Sequence, residues 1–183
     1  MIYNRRMTDP DPDAAPGAAS GEKGPSESLT RFRARGFFPA DFAAVESGKV
    51  YASGAYWSLL RFETFPAVLP SMALVAVVEV PFHAYQADHA VEMSLVDPDD
   101  RPRGLRVEGT FRSAPGIEAR YGAPGLVPII VPVQGLRFDG AGDYSFVLKV
   151  DSNEIERYGF SVIQVASVRA PTGYQPPAPP AAE

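Results

Sequence analysis

Cysteine is absent from the chain, which excludes a disulfide framework, a thiolate nucleophile and a cysteine-ligated zinc site. Histidine is nearly absent: two residues leave little material for imidazole acid–base chemistry or metal ligation. Lysine is scarce as well, with three residues against fourteen arginines, and alongside abundant Ala, Gly and Pro this reads as a high-GC coding bias. Positive charge is not in excess. The formal net charge is −5, and because a phosphate backbone is gripped by a basic surface, no nucleic acid is expected as a partner. Long apolar runs are missing too. The longest, Met72 to Val80, is too short to span a bilayer and is interrupted by Glu79. The segment MIYNRRMTDPDPDAAPG at the start lacks the apolar stretch of a secretory signal. These absences predict a cytoplasmic protein with no membrane partner and no cofactor.

What is present suits one globular domain with tails. The chain has 183 residues, 45% of them hydrophobic and 21% charged, enough to bury a core. Its 19 prolines and 16 glycines gather at the ends and between apolar runs. Residues 1–35, rich in Asp, Pro, Ala, Gly and Ser, predict a disordered arm, because such a segment cannot bury enough surface to offset its ordering entropy. Met7 is an alternative start to Met1. Within Leu29 to Phe38, Arg31, Arg33 and Arg35 interleave with Phe32 before Phe37 and Phe38. An arm for an anionic partner or nucleic acid is one reading of that pattern; a solvated lead-in whose aromatics cap the domain is the preferred one. Residues 36–166 form the domain, and residues 167–183, ending in QPPAPPAAE, a polyproline-prone disordered tail.

The domain is organised around Phe138 to Val150. Gly140 and Gly142 predict a positive-φ turn. The strand that follows points Tyr144, Phe146, Leu148 and Val150 one way, and Ser145, Lys149 and Asp151 the other, with Val147 the apolar exception. A glycine two residues before a strand-opening tyrosine is the local shape of a tyrosine corner, whose phenol bonds back to the preceding loop. Met72 to Val80 is apolar on both parities, as in a central strand covered on both faces. His89 to Val96 and Leu105 to Arg112 alternate around the Asp97-Pro98-Asp99-Asp100 turn and predict a hairpin. Leu126 to Val133 carries Pro128 and Pro132 on one parity and predicts an edge strand. Lys49 to Trp57 predicts a first strand with a bulge at Gly54, and Arg157 to Val165 a closing one. Leu59 to Leu69 reads as an apolar-anchored connection. Pro39 to Gly48 predicts a short helix near residues 39–47, with Pro39 in the first turn and Gly48 after the end. The sum is an all-β, immunoglobulin-like antiparallel β-sandwich of about seven or eight strands with at most that one helix.

Four stretches, ADFAAVESGKVYASGAYW (Ala40 to Trp57), FPAVLPSMALVAVVEVP (Phe65 to Pro81), VEMSLVDPD and LRFDGAGDYSFVLKVD, carry a resemblance. Their order and spacing resemble a bacterial family of small sandwich proteins of unknown function, over roughly residues 39–163. The resemblance implies an immunoglobulin-like fold of bacterial origin and transfers no activity or catalytic residue.

Few residues can carry chemistry. His83, Asp88 and His89, with Asp97, Asp99 and Asp100 on the next turn, are the candidates for a metal. A histidine spacing of six on an irregular loop matches no ligand frame, and the DxDxDG calcium pattern is missing, so an ordinary exposed loop is preferred. No GxSxG elbow exists, and a triad would have to draw on His83 or His89. Glu154 and Glu156 share a face if their segment is a strand, a minimal arrangement for a hydrolase. Gly48-Lys49 is not a phosphate loop, since Val50 stands where Ser or Thr is required. Tyr51, Tyr56, Trp57, Phe62 and Phe65 are dense for one short region and are candidates for contact with a partner, although sandwich cores also use aromatics. The functional expectation is a non-enzymatic protein-interaction or accessory module. The alternative is a small-ligand or metal-binding sandwich using the His83–His89 loop, and after it a weak hydrolase.

Overall fold

A computed structural model describes residues 31–114 and 122–166. The expected N-terminal arm up to residue 30, the candidate loop anchors Ile117 and Tyr121, and the C-terminal tail from residue 167 lie outside those residues. The described chain is all-β, with ten strands and no α-helix. They are β1 (Arg33–Ala40), β2 (Phe42–Glu46), β3 (Lys49–Ser53), β4 (Leu59–Phe62), β5 (Ala67–Val80), β6 (Asp88–Val96), β7 (Pro102–Arg112), β8 (Gly125–Phe138), β9 (Gly142–Val150) and β10 (Asn153–Gln164). Among the described residues a 3-10 turn spans Phe82–Ala84.

Three sheets result. β1-β5-β8 form one, β4-β10-β9-β6-β7 a second, and β2-β3 a hairpin of its own. The strand pairs are antiparallel except for β10 with β4, which run parallel from Ser161↔Leu59 to Gln164↔Phe62. One parity of β5 (Met72, Leu74, Ala76, Val78 and Val80) joins Met93 and Leu95 of β6 and Phe146, Leu148 and Val150 of β9 in one core between the larger sheets. The other parity of β5 meets a smaller cluster in which Phe38, Ala40 and Val75 are capped by Ala43 and Val50 of the hairpin. The continuous apolar run from Met72 therefore has the physical cause expected of it, a strand covered on both faces.

Most strands legible by alternation are in place. β6 and β7 form the predicted hairpin, and β8 lies at the edge of its sheet. At its turn Asp97 accepts hydrogen bonds from the amides of Asp99 at 3.0 Å and Arg101 at 2.9 Å, and from Arg103 Nη2 at 2.6 Å. The Tyr144 hydroxyl donates to the Gly140 carbonyl at 3.0 Å, the bond that defines a tyrosine corner.

Five details differ from expectation. No helix spans 39–47: Pro39 and Ala40 close β1, and Phe42–Glu46 is β2. Gly48 (φ +74°) does adopt the left-handed conformation that suggested a helix end. Together with Ser47 (φ +49°) it makes instead the two-residue loop of a hairpin, flanked by the pair Glu46↔Lys49. A helix end and a tight hairpin place the same demand on glycine, so the local signal was ambiguous. Second, β3 stops at Ser53, because Gly54 and Tyr56 both take φ +62° and turn the chain. Third, Leu59–Phe62 is a strand, recruited by β10 through partners that lie about a hundred residues later in sequence, Ser161↔Leu59 to Gln164↔Phe62. These changes raise the strand number above seven or eight. Fourth, β1 begins at Arg33, within the arm expected to reach residue 35. Last, positive φ at the organising turn belongs to Gly142 (φ +158°) and not to Gly140.

Candidate functional site

The loop between β5 and β6 starts at Pro81, makes one 3-10 turn and enters β6 at Asp88. It does not gather its three candidate ligands. His83 is exposed, and Asp88 turns away to a paired contact with Arg112, at 2.7 and 2.8 Å. His89 is buried. Its Nε2 lies 2.7 Å from the Ala84 carbonyl and its Nδ1 lies 2.8 Å from the Asp151 carboxylate. Both partners are acceptors, so the ring satisfies them together only when both nitrogens carry protons. Burial alone pushes the His89 pKa down. The hydrogen bonds to Ala84 and Asp151 and the charges of Asp151 and Asp88 outweigh burial and hold it above the ordinary value. An imidazole with both nitrogens so engaged has no lone pair for a metal. Phe32 packs edge-on against it at 4.7 Å between centroids, and Phe111 lies at 5.7 Å. His89 is thus a rivet joining the 3-10 turn, β6 and the β9–β10 turn, where Asp151 also accepts the Ala90 amide at 3.0 Å. Among the described residues no three His, Asp or Glu side chains converge as a metal site.

At the other end of that turn the Glu154 and Glu156 carboxylates are held by different groups of Arg157, its guanidinium and its backbone amide. A bulge between Glu154 and Glu156 shifts the β9–β10 register. Arg157 then takes Glu154 at 3.0 and 3.1 Å and Asp100 at 2.7 Å, while its own amide donates to Glu156 at 3.0 Å. Hydrogen bonds to Glu154 and Asp100 push the already high Arg157 pKa further up.

The aromatic set divides. Trp57 stands edge-on to Phe160 at 5.4 Å and to Phe146 at 6.3 Å. Phe62 contacts Phe65 and Phe138 at 6.1 and 5.9 Å. All three pack against the main core. Tyr56 stacks on Phe38 at 4.2 Å yet remains 59% exposed. Tyr51 is 52% exposed, and the hairpin register explains why. Ala43 and Val50 point to the core, so Phe42, Ala44 and Tyr51 occupy the opposite, outward face. Phe42 is 63% exposed and diagonal to Tyr51 across the hairpin. Phe42 is not among the sequence candidates, because a helix over 39–47 hides the two-residue alternation that sets Phe42 opposite Ala43 and Val45.

Shallow concavities mark the described surface. One of about 500 Å³ lies on the outer face of the five-stranded sheet beside Glu92, Arg106, Glu108 and Lys149. The family model matching residues 35–163 is described as a family of unknown function. No curated protein matches the chain. Among solved structures, a Pseudomonas fluorescens alkylpurine DNA glycosylase bound to abasic-site DNA is similar at 10% identity and a TM-score of 0.35, covering 73% of this chain and 30% of that one. A Listeria innocua β-glucosidase in complex with isofagomine is similar at 7% identity and a TM-score of 0.38, covering 72% of this chain and 16% of that one. The chain thus spans less than a third of either protein's length. At such scores neither neighbour's chemistry is transferred.

Proposed function

From the premise that this chain belongs to DUF6941, a family of unknown function, we propose that it is a non-enzymatic protein-interaction or accessory module. It is a bacterial, cytoplasmic, immunoglobulin-like β-sandwich whose contact face is the outward side of the β2–β3 hairpin. One observation carries the reading: Phe42 and Tyr51, at 63% and 52% exposure, sit diagonally on a face that no other described element covers. Exposed aromatics grouped on a rigid hairpin supply contact area at low entropic cost, the property that makes Tyr and Phe common at interface centres. The immunoglobulin-like assignment is supported by two sheets sharing one core and by the Tyr144–Gly140 bond. The metal-binding alternative loses its support, because the ring nitrogens of His89 are committed to Asp151 and Ala84.

The test is capture from a native lysate with the wild-type chain and with F42S/Y51S. A protein retained by the first and lost by the second, at equal thermal stability of the baits, supports the reading. Identical capture profiles from the two baits overturn it.

A further inference from the structure

We propose that the chain forms a two-fold dimer by antiparallel pairing of β7 with β7 of a second copy, the axis passing through Val107. This goes beyond the hairpin reading and uses a different surface.

β7 ends the five-stranded sheet and is paired on one side only, with β6. It is eleven residues long, irregular at its start where Gly104 takes φ +67° and the register with β6 shifts, and regular from Arg106 to Arg112. Among the described residues its far-side amides and carbonyls have no backbone partner. An edge of that length is a template for another strand unless something blunts it. Its only proline, Pro102, stands at the start; Leu105 and Phe111 pack against the core, Val107 lines the apolar cleft beside them, and none carries a charge to forbid pairing.

Charge selects the register. In a dimer about an axis normal to the sheet, same-face residues must meet, so the axis passes through a residue. An axis at Glu108 sets Glu108 against its own copy, and one at Arg106 does the same for arginine. An axis at Gly109 opposes Arg106 to Arg112, and one at Leu105 leaves Glu108 facing Pro102. Only Val107 sets Arg106 against Glu108 of the second copy, twice over. The isolated chain has a reason to accept that arginine. Glu92 and Glu108 lie directly opposite one another across β6 and β7, two like charges in one cross-strand pair. Arg106 bridges them, at 3.0 and 2.6 Å, and Lys149 reaches Glu92 at 3.6 Å. A second guanidinium opposite Glu108 completes the alternation of charge along the row.

Shape agrees with the same register. Pairing through Val107 puts Leu105 opposite Gly109 of the second copy. At Gly109 the inward face has no side chain, and beside it opens an apolar cleft of about 160 Å³ lined by Val107, Phe111, Ile129 and Val131. A half-buried Leu105 from each copy enters the notch of the other.

Sedimentation equilibrium of the full chain tests this. The wild type is expected to show a reversible monomer–dimer equilibrium. R106E and E108R each oppose like charges twice and weaken it at least about tenfold. Mixing the two variants restores a dimer of mixed composition, seen by native mass spectrometry, and R106E/E108R restores the homodimer. Because the chain has no cysteine, V107C reports register directly: it becomes disulfide-linked on mild oxidation, while T110C, opposite Gly104, does not. A wild type that stays monomeric at several hundred micromolar overturns the proposal. So does a dimer untouched by the charge variants, or one dissolved instead by F42S/Y51S. The charge swap and the mixing experiment keep the outcome readable should one single variant fold poorly.

Discussion

His89 faces two acceptors and meets both only as the doubly protonated ring. Its folded pKa is raised, so the stability it contributes is fully present below the unfolded value near 6.5 and is lost as pH rises through the raised folded value. The melting temperature of wild type minus that of H89Q is therefore expected to be larger at pH 5.5 than at pH 9; thermal melts at both pH values check it. Asp97 has the opposite sign. Hydrogen bonds from the Arg101 amide, then Arg103 and the Asp99 amide, hold its pKa down against partial burial, so its contribution is present above 3.8 and fades as pH falls through the lowered value. Tyr144 supplies a single neutral hydrogen bond, to Gly140. Y144F is expected to cost about 1 kcal/mol in urea denaturation, with the ring stacking on Phe160 kept. Gly54 is more demanding. It sits at φ +62°, and a Cβ there would run into the Asp41 side chain, so G54A is expected to cost more than about 1 kcal/mol in the same measurement.

Elements differ in how far their own residues define them. β6, β7 and β9 alternate clearly and fold where the alternation places them. β2 and β4 are short, and their residues suit several local conformations. What makes β2 a strand is its partner β3 and the two positive-φ residues Ser47 and Gly48 between them. β4 has no neighbouring partner at all and exists because β10 offers it an edge. The hairpin nonetheless has two distinct faces, and they predict distinct consequences. F42S/Y51S touches only the outward one and is expected to leave unfolding free energy within about 0.5 kcal/mol of wild type. V50A deletes both γ-methyl groups from the face against Phe38 and Val75 and is expected to destabilise by roughly 1 kcal/mol or more, measured by denaturant titration.

Across the molecule, stability rests on β5, a long strand with an apolar core on either face, flanked by β1, whose Phe37 and Phe38 likewise enter different cores. Leu74 and Val75 are adjacent, fully buried and point to opposite cores. L74A is expected to cost about 2–5 kcal/mol and to lower the denaturation midpoint with an unchanged slope. A single transition by fluorescence of Trp57, which reports the main core, and by far-ultraviolet circular dichroism is the outcome consistent with the two cores unfolding together through β5.

The amino-acid sequence by itself determined the all-β character, the central strand, the β6–β7 hairpin, the proline-bearing edge strand and the Tyr144–Gly140 contact. Each rests on local information: side-chain parity along one strand, or a turn residue with one permitted backbone conformation. Tertiary structure alone decided the rest. Whether Pro39 to Gly48 became a helix or a strand depended on β3 and on the apolar face of β5 beneath it. Whether His89 was a ligand or a rivet depended on Asp151, 62 residues later. Which of five aromatics stayed exposed depended on sheets assembled from distant segments. A pattern along the chain specifies which face of a strand is apolar, but only the packed molecule settles what that face meets.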